Sequence, residues 1–226
     1  MPLFTTAFTP PPPIDGLTVT ASGAGVELSW NPTTLSAVDF VSYNVDRSVD
    51  GGSFVRLATL RDPASTEFAD YAAPLGVRLT YRLTQSSLDY DSDPVDVDTL
   101  VDACEFWLVL ATTGEQVGFE IPNVTAMSTT WPLQMTEHEP LGRTRKLVET
   151  GELLGAESLV RALLLADQAD VARLIRQVAA RRTSDEVLWK TPYGDVQAVA
   201  LGSIASERGV DGRQTITFRT IDIGID

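Results

Sequence analysis

The residues of this chain able to do acid–base, nucleophilic or metal chemistry are its single histidine, its single cysteine, its hydroxyls and its 31 acids. His138 stands between Glu137 and Glu139 in a segment, Thr136 to Lys146, whose polar and irregular texture predicts a loop. A working base needs a nucleophile within reach and a third group to orient it, and nothing near His138 supplies either. Ser29 and Ser158 fall in strand-like stretches, and no Gly-x-Ser-x-Gly elbow raises a serine onto a strained turn. Neither glycine pattern that cradles phosphate occurs. Cys104 and His138 are too few to make a structural zinc site. The run Asp89-Tyr90-Asp91-Ser92-Asp93 starts like a calcium loop, but Pro94 and Leu100 occupy the positions that need glycine and a bidentate glutamate. The acids from Asp89 through Asp91, Asp93, Asp96 and Asp98 to Asp102 are expected instead to be solvated or to discourage pairing at a sheet edge. No catalytic residue, cofactor site or metal site follows from the pattern, and the expectation is a protein that is not an enzyme.

The elements that carry these residues are mainly β. Hydrophobic residues make up 43% of the chain and charged residues 21%, a balance that folds without help from disulfides, since one cysteine allows none within the chain. The longest apolar run, Phe106 to Ala111, is too short to span a bilayer, so no membrane insertion is expected. Net charge is −14, with 14 acids against 5 arginines in residues 1–102 and 17 against 12 basic residues beyond. That balance repels phosphate backbones, so direct nucleic-acid binding is not expected. Residues 1–13 hold no basic n-region or apolar h-region. A secretory route from this segment is therefore not expected.

Leu17 to Thr20, Val26 to Trp30, Tyr43 to Val45, Phe54 to Ala58 and Leu79 to Leu83 alternate apolar with polar residues, and turn signals such as Asp50-Gly51-Gly52 separate them. This spacing predicts a sandwich of short strands, with Trp30, Tyr43 and Tyr81 in its core. The proline-led entry, Leu-Ser-Trp-Asn-Pro at 28–32, Tyr-Asn-Val-Asp-Arg-Ser at 43–48 and the approach from Gly76 to Tyr81 resemble fibronectin type III domains. The resemblance implies a β-sandwich over residues 14–100, behind a proline-rich arm at 1–13, with Tyr81 where a tyrosine-corner residue would sit. It identifies a fold and no function.

Residues 104–226 read differently. Glu105 to Leu110 is a buried strand carrying Trp107, Val117 to Ile121 alternates, and Glu157 to Leu165 is a further strand. Val171, Leu174, Ile175 and Val178 recur at helical spacing, which predicts one helix at about 168–182 with Asp167 as N-cap. A hairpin from Val187 to Leu201 centred on Pro192 to Asp195, with Trp189 in the core, and a strand from Gln214 to Ile221 complete an antiparallel sheet or split barrel with one packed helix. Glu-Pro-Leu-Gly-Arg at 139–143, the hairpin sequence from Val187 to Val196 and the terminal Ile-Thr-Phe strand resemble the C-terminal part of minor tail and distal-tail-like proteins of long-tailed bacteriophages.

That resemblance implies a domain of tail-tube-like type in a virion protein of the tail or baseplate, built in the host cytoplasm. It implies a homo-oligomeric ring, with a hexamer favoured, tail tube and tail hub proteins as partners, and possible contact of the sandwich with the host surface. Distal tail proteins usually place the tube-like domain first, whereas here the sandwich precedes it. Arg143, Arg145 and Lys146 form the densest basic cluster in an acidic chain and are the candidate subunit interface. The alternative is an accessory or carbohydrate-binding module of a secreted bacterial protein, which the helix and hairpin of the second half fit less well.

Overall fold

The computed structural model describes residues 10–102, 105–111, 117–130, 133–138, 147–153, 156–165, 168–180, 186–209 and 213–223. The chain divides into two compact units, Met1–Ala103 and Cys104–Asp226. The fold class expected from the sequence holds: antiparallel β-sheets with a single helix among the described residues.

Unit 1 contains β1 (Thr18–Ala21), β2 (Val26–Ser29), β3 (Phe40–Val49), β4 (Val55–Leu60), β5 (Glu67–Asp70), β6 (Arg78–Ser87) and β7 (Val95–Leu100). Three strands form one sheet in the order β1-β2-β5, and four form another in the order β4-β3-β6-β7, with every pairing antiparallel. This is a fibronectin-like sandwich. Strand alternation decides what is buried. On β2, Val26 and Leu28 point into the core while Glu27 and Ser29 face out, and on β6 the residues Leu79, Tyr81, Leu83 and Gln85 turn inward. The β3–β4 connection turns through Asp50 and Gly51, both at positive φ, and the Gly52 amide closes the turn on the Val49 carbonyl at 2.9 Å.

Trp30 and Tyr43 are buried edge to face with ring centroids 5.5 Å apart. At the same end, the buried amide of Gln85 donates to the Pro12 carbonyl and accepts from the Thr33 hydroxyl at 2.7 Å. Pro11 is buried there too, as is Ile14, so residues 10–13 of the expected arm pack against the sandwich.

Nearer the other end, Asp70 on β5 is 5% exposed and takes two donors from the opposite sheet. Arg47 on β3 reaches it at 2.6 Å and the Tyr81 hydroxyl on β6 at 2.8 Å. Arg47 also donates to the Ala72 carbonyl at 3.2 Å. Tyr81 thus bonds a carboxylate across the sandwich. Burial first, and then the Asp70 charge, push its phenol well above the ordinary tyrosine range.

Unit 2 contains β8 (Phe106–Ala111), β9 (Val117–Ile121), β10 (Val124–Thr130), β11 (Leu133–His138), β12 (Leu147–Leu153), β13 (Glu157–Leu164), α1 (Ala169–Ala180), β14 (Glu186–Lys190), β15 (Val196–Arg208) and β16 (Gln214–Asp222). Seven strands form an antiparallel sheet in the order β10-β13-β16-β15-β14-β8-β9, and β11 pairs with β12 separately. The loop expected from Thr136 to Lys146 is corrected at its start. Thr136, Glu137 and His138 belong to β11, and His138 lies opposite Leu147. A partner strand supplies the ladder there, and local polarity gave no sign of it.

β9 and β10 lie at opposite ends of the sheet order, yet only Pro122 and Asn123 separate them. Three Cα–Cα steps span about 11 Å at most, so the sheet must curl until its two edges converge at that corner. Asn123 takes positive φ to make the bend, and its carbonyl accepts from the Leu163 amide at 3.0 Å. The interior of the curl holds Leu108, Phe119, Ile121, Val160, Trp189, Ile216 and Phe218. Helix α1 closes onto this core, contacting β9, β13 and β15. It buries Ala172, Ile175 and Val178 and packs Val171 and Leu174 at the margin, the stripe expected from the sequence. Asp170 lies in its first turn, while Asp167, Arg181 and Arg182 lie outside the described residues.

Two stability outcomes follow from these cores. Tyr81→Phe leaves the Asp70 carboxylate one donor short and should cost about 1.5–3 kcal/mol in urea unfolding. The wild-type chain should also lose stability as pH rises above about 10, where the unfolded chain releases the Tyr81 proton and the folded one keeps it. The variant should lack that part of the alkaline slope. Ile175→Ala removes a fully buried side chain from the helix–sheet contact and should cost about 2–5 kcal/mol, read as a shift of the unfolding midpoint at constant m-value.

Candidate functional site

The residues named from the sequence scatter. Trp30, Tyr43, Tyr81 and Trp189 are buried. Trp107 is half-buried, and strand alternation puts it on the face of β8 opposite Phe106, Leu108 and Leu110, which pack on the core. Arg143, Arg145 and Lys146 lie outside the described residues, as does Cys104. Ser29 and Ser158 sit on β2 and β13. The Ser29 hydroxyl meets Thr18 at 2.8 Å and the Ser158 hydroxyl meets Thr129 at 2.9 Å, which are strand-to-strand contacts. Among the described residues, no three His, Cys, Asp or Glu side chains gather where they could hold a metal ion. Among them, too, no helix is long and apolar enough to cross a membrane.

The acids between Asp89 and Asp98 are partly engaged by their own sheet. Asp91 accepts from Ser86 at 2.5 Å and Asp98 from Thr80 at 2.7 Å. Arg82 grips Asp96 with two bonds of 2.8 Å. The sheet register places Arg56, Asp46, Arg82 and Asp96 opposite one another, one from each of β4, β3, β6 and β7. The result is a ladder of alternating charge across the outer face. Arg56 meets Asp46 at 2.5 Å, and the Arg82 guanidinium lies 4.0 Å over the Phe54 ring. The hydrogen bond from Arg82 holds the Asp96 carboxyl below the usual range, and the same bond raises Arg82. β7 is an edge strand, and Asp96 and Asp98 on it are satisfied within the sheet they border. No signal in a single strand could have paired these charges, because the register belongs to four strands together.

Two open hollows stand out on the described surface. One, of about 520 Å³, lies on the outer side of β1-β2-β5 with Glu27, Glu67 and Tyr71 around it. Burial, then the charges of Glu27 and Glu67, raise the Tyr71 phenol above its ordinary value. The other, of about 390 Å³, lies across β10, β13, β16 and β15 and is lined by small and apolar residues together with Arg161 and Glu207. Neither brings together a base, a nucleophile and an oxyanion donor.

Neither known protein families nor curated protein sequences match the chain. Solved structures give distant likenesses. The spore cortex lytic enzyme SleM of Clostridium perfringens is 20% identical with a TM-score of 0.34 over 45% of this chain. The match spans 31% of the SleM chain. A chain of the virion of a native gene transfer agent particle is 12% identical with a TM-score of 0.36, over 53% of this chain and 92% of that one. The twitchin kinase region of C. elegans, Fn31-NL-kin-CRD-Ig26, is 15% identical with a TM-score of 0.37, over 93% of this chain and 40% of that one. Likenesses at these scores carry no argument about fold or role.

The charge ladder generates its own test. Asp96→Asn should cost no more than about 1 kcal/mol, because both partners are solvent-exposed, and the cost should shrink as salt is added. Since the Asp96 carboxyl is depressed in the folded state, that difference should be full above about pH 4 and vanish as pH falls through its lowered value. Urea titrations of both chains across that range read it directly.

Proposed function

We propose that this protein is a structural component of a bacteriophage virion, a minor tail or baseplate protein of distal-tail type. In this reading it has no enzymatic role and no cofactor. Unit 2 assembles as a homo-oligomeric ring, six copies being favoured, between the tail tube and the tail hub. The fibronectin-like sandwich is carried outward, where it can meet the host surface. Assembly takes place in the host cytoplasm, and the protein leaves within the particle.

The observation that carries the reading is the architecture of unit 2, an antiparallel sheet curled into a split barrel around a core that one helix closes. The β14–β15 hairpin bears the sequence from Val187 to Val196 on which the resemblance to tail proteins rests. The acidic balance of −14 supports a role beside passing nucleic acid in preference to one that grips it. The outer face of the sandwich, with its Arg56–Asp46 and Arg82–Asp96 pairs, and the open hollows suit contact with other proteins better than turnover of a substrate.

Size-exclusion chromatography with light scattering tests the proposal. The expected result is a discrete multiple of the 24.5 kDa chain, with six copies as the leading value. Replacing Arg143, Arg145 and Lys146 together by alanine should shift the profile toward smaller species. Unchanged rings in that variant would remove the interface assignment. A strict monomer at every concentration that binds a polysaccharide would overturn the reading in favour of an accessory module.

A further inference from the structure

Exposed apolar residues are ordinary when scattered, and informative when they gather. Four gather at one end of the sandwich: Val38 at 81% exposure, Leu88 at 71%, and the exposed Val41 and Tyr90. The register pairs Phe40 with Ser87, which sets the loop before β3 beside the loop after β6. Val38 precedes Phe40 by two residues and Leu88 follows Ser87 directly. Val41 is the extra residue where the register shifts between Phe40 and Ser42, the position at which a bulge re-aims a side chain. The loop is fixed by its own bonds. The Ser87 amide donates to the Tyr90 carbonyl at 2.8 Å, and the Ser87 hydroxyl is 2.9 Å from that carbonyl and 3.2 Å from the Tyr90 amide. Between Leu88 and Tyr90 stands Asp89, which has no ion pair among the described residues.

The hollow on unit 2 is the counterpart. Ala126, Arg161, Thr217 and Ala205 stand opposite one another in a single row across β10, β13, β16 and β15. Small side chains form the floor of a space of about 390 Å³, which suits a side chain the size of leucine or tyrosine. Leu159 and Met127 are exposed at its wall. Arg161 is also exposed, and among the described residues it has no ion pair. Glu207 lines the hollow as well.

We infer that the loop end of one copy seats in this hollow of a second copy. Leu88 and Tyr90 enter as apolar knobs, and Asp89 pairs with Arg161 of the neighbour. A protrusion and a hollow on different surfaces of one chain make a heterologous contact, which closes into a ring or continues as a filament. The second copy is the occupant because the charges can pair: the knob carries Asp89, and Arg161, which shares the hollow with Glu207, has no ion pair among the described residues. This contact rests on the ring reading and adds to it a second contact, from the sandwich of one copy to unit 2 of the next.

The test is sedimentation velocity of the full chain over a concentration series, with Asp89→Arg, Arg161→Asp, the two combined, and Leu88→Ser. All three positions are exposed, and circular dichroism checks that each variant folds. Each single variant should weaken association by about 10-fold or more, and the double charge swap should recover most of that loss, as coupled charge pairs at interfaces do. Assemblies unchanged in all single variants would overturn the contact and leave the ring reading standing. A double swap as weak as the singles would overturn the Asp89–Arg161 pairing. A wild-type chain that stays monomeric throughout would overturn both the contact and the ring.

Discussion

A carboxylate buried between two sheets is stable only if donors come with it, and Asp70 imposes that condition on the whole sandwich. Its two donors, Arg47 and Tyr81, come from neighbouring strands of the opposite sheet, where the register places them side by side. The two sheets cannot slide without stranding a charge. A chain with one cysteine has no intrachain disulfide to do the same work. At the other end, Trp30, Tyr43 and Gln85 fill the space between the sheets, and the Gln85 amide donates to the Pro12 carbonyl. With both ends pinned, the loops around Val38 and Leu88 leave the sandwich from fixed strand ends, and the Ser87–Tyr90 bonds hold the backbone of the second loop. Pre-ordering lowers the entropic cost of binding.

Unit 2 meets a different constraint. An antiparallel sheet of seven strands must bury one face, and the two-residue link between β9 and β10 forces its ends together. Curling buries that inner face, and α1 covers the part the strands do not reach. The outer side of β10, β13, β16 and β15 is left with small residues, and small residues on a pleated surface make a hollow. The feature proposed as a docking surface is thus a consequence of how the core is closed.

The parts legible in the sequence were those whose pattern is local. Val26, Leu28 and Trp30 alternate on one strand, and Val171, Leu174, Ile175 and Val178 mark one helix face, so sandwich and helix could be placed from spacing. β10 was missed because Val124 to Thr130 is an edge strand, exposed along nearly its whole length, with no apolar face to alternate. The His138 segment was read as a loop because its strand character depends on a partner that begins at Leu147. Trp107 is expected in the core because Glu105 to Leu110 reads as a continuously buried strand, although its parity on β8 sets it opposite Phe106, Leu108 and Leu110. The hollow could not be read at all, since its floor comes from positions 126, 205 and 217, on three separate strands. Asp96 looked like one acid in a run of solvated ones until the register set Arg82 across from it.

As proposed, the second unit builds a closed ring while the sandwich is displayed. Negative-stain electron microscopy of the purified full chain addresses it most directly. Class averages should show closed rings of one uniform size, with an extra lobe for every subunit. Isolated particles of single-chain size at all concentrations, or open filaments of indefinite length, would contradict the account.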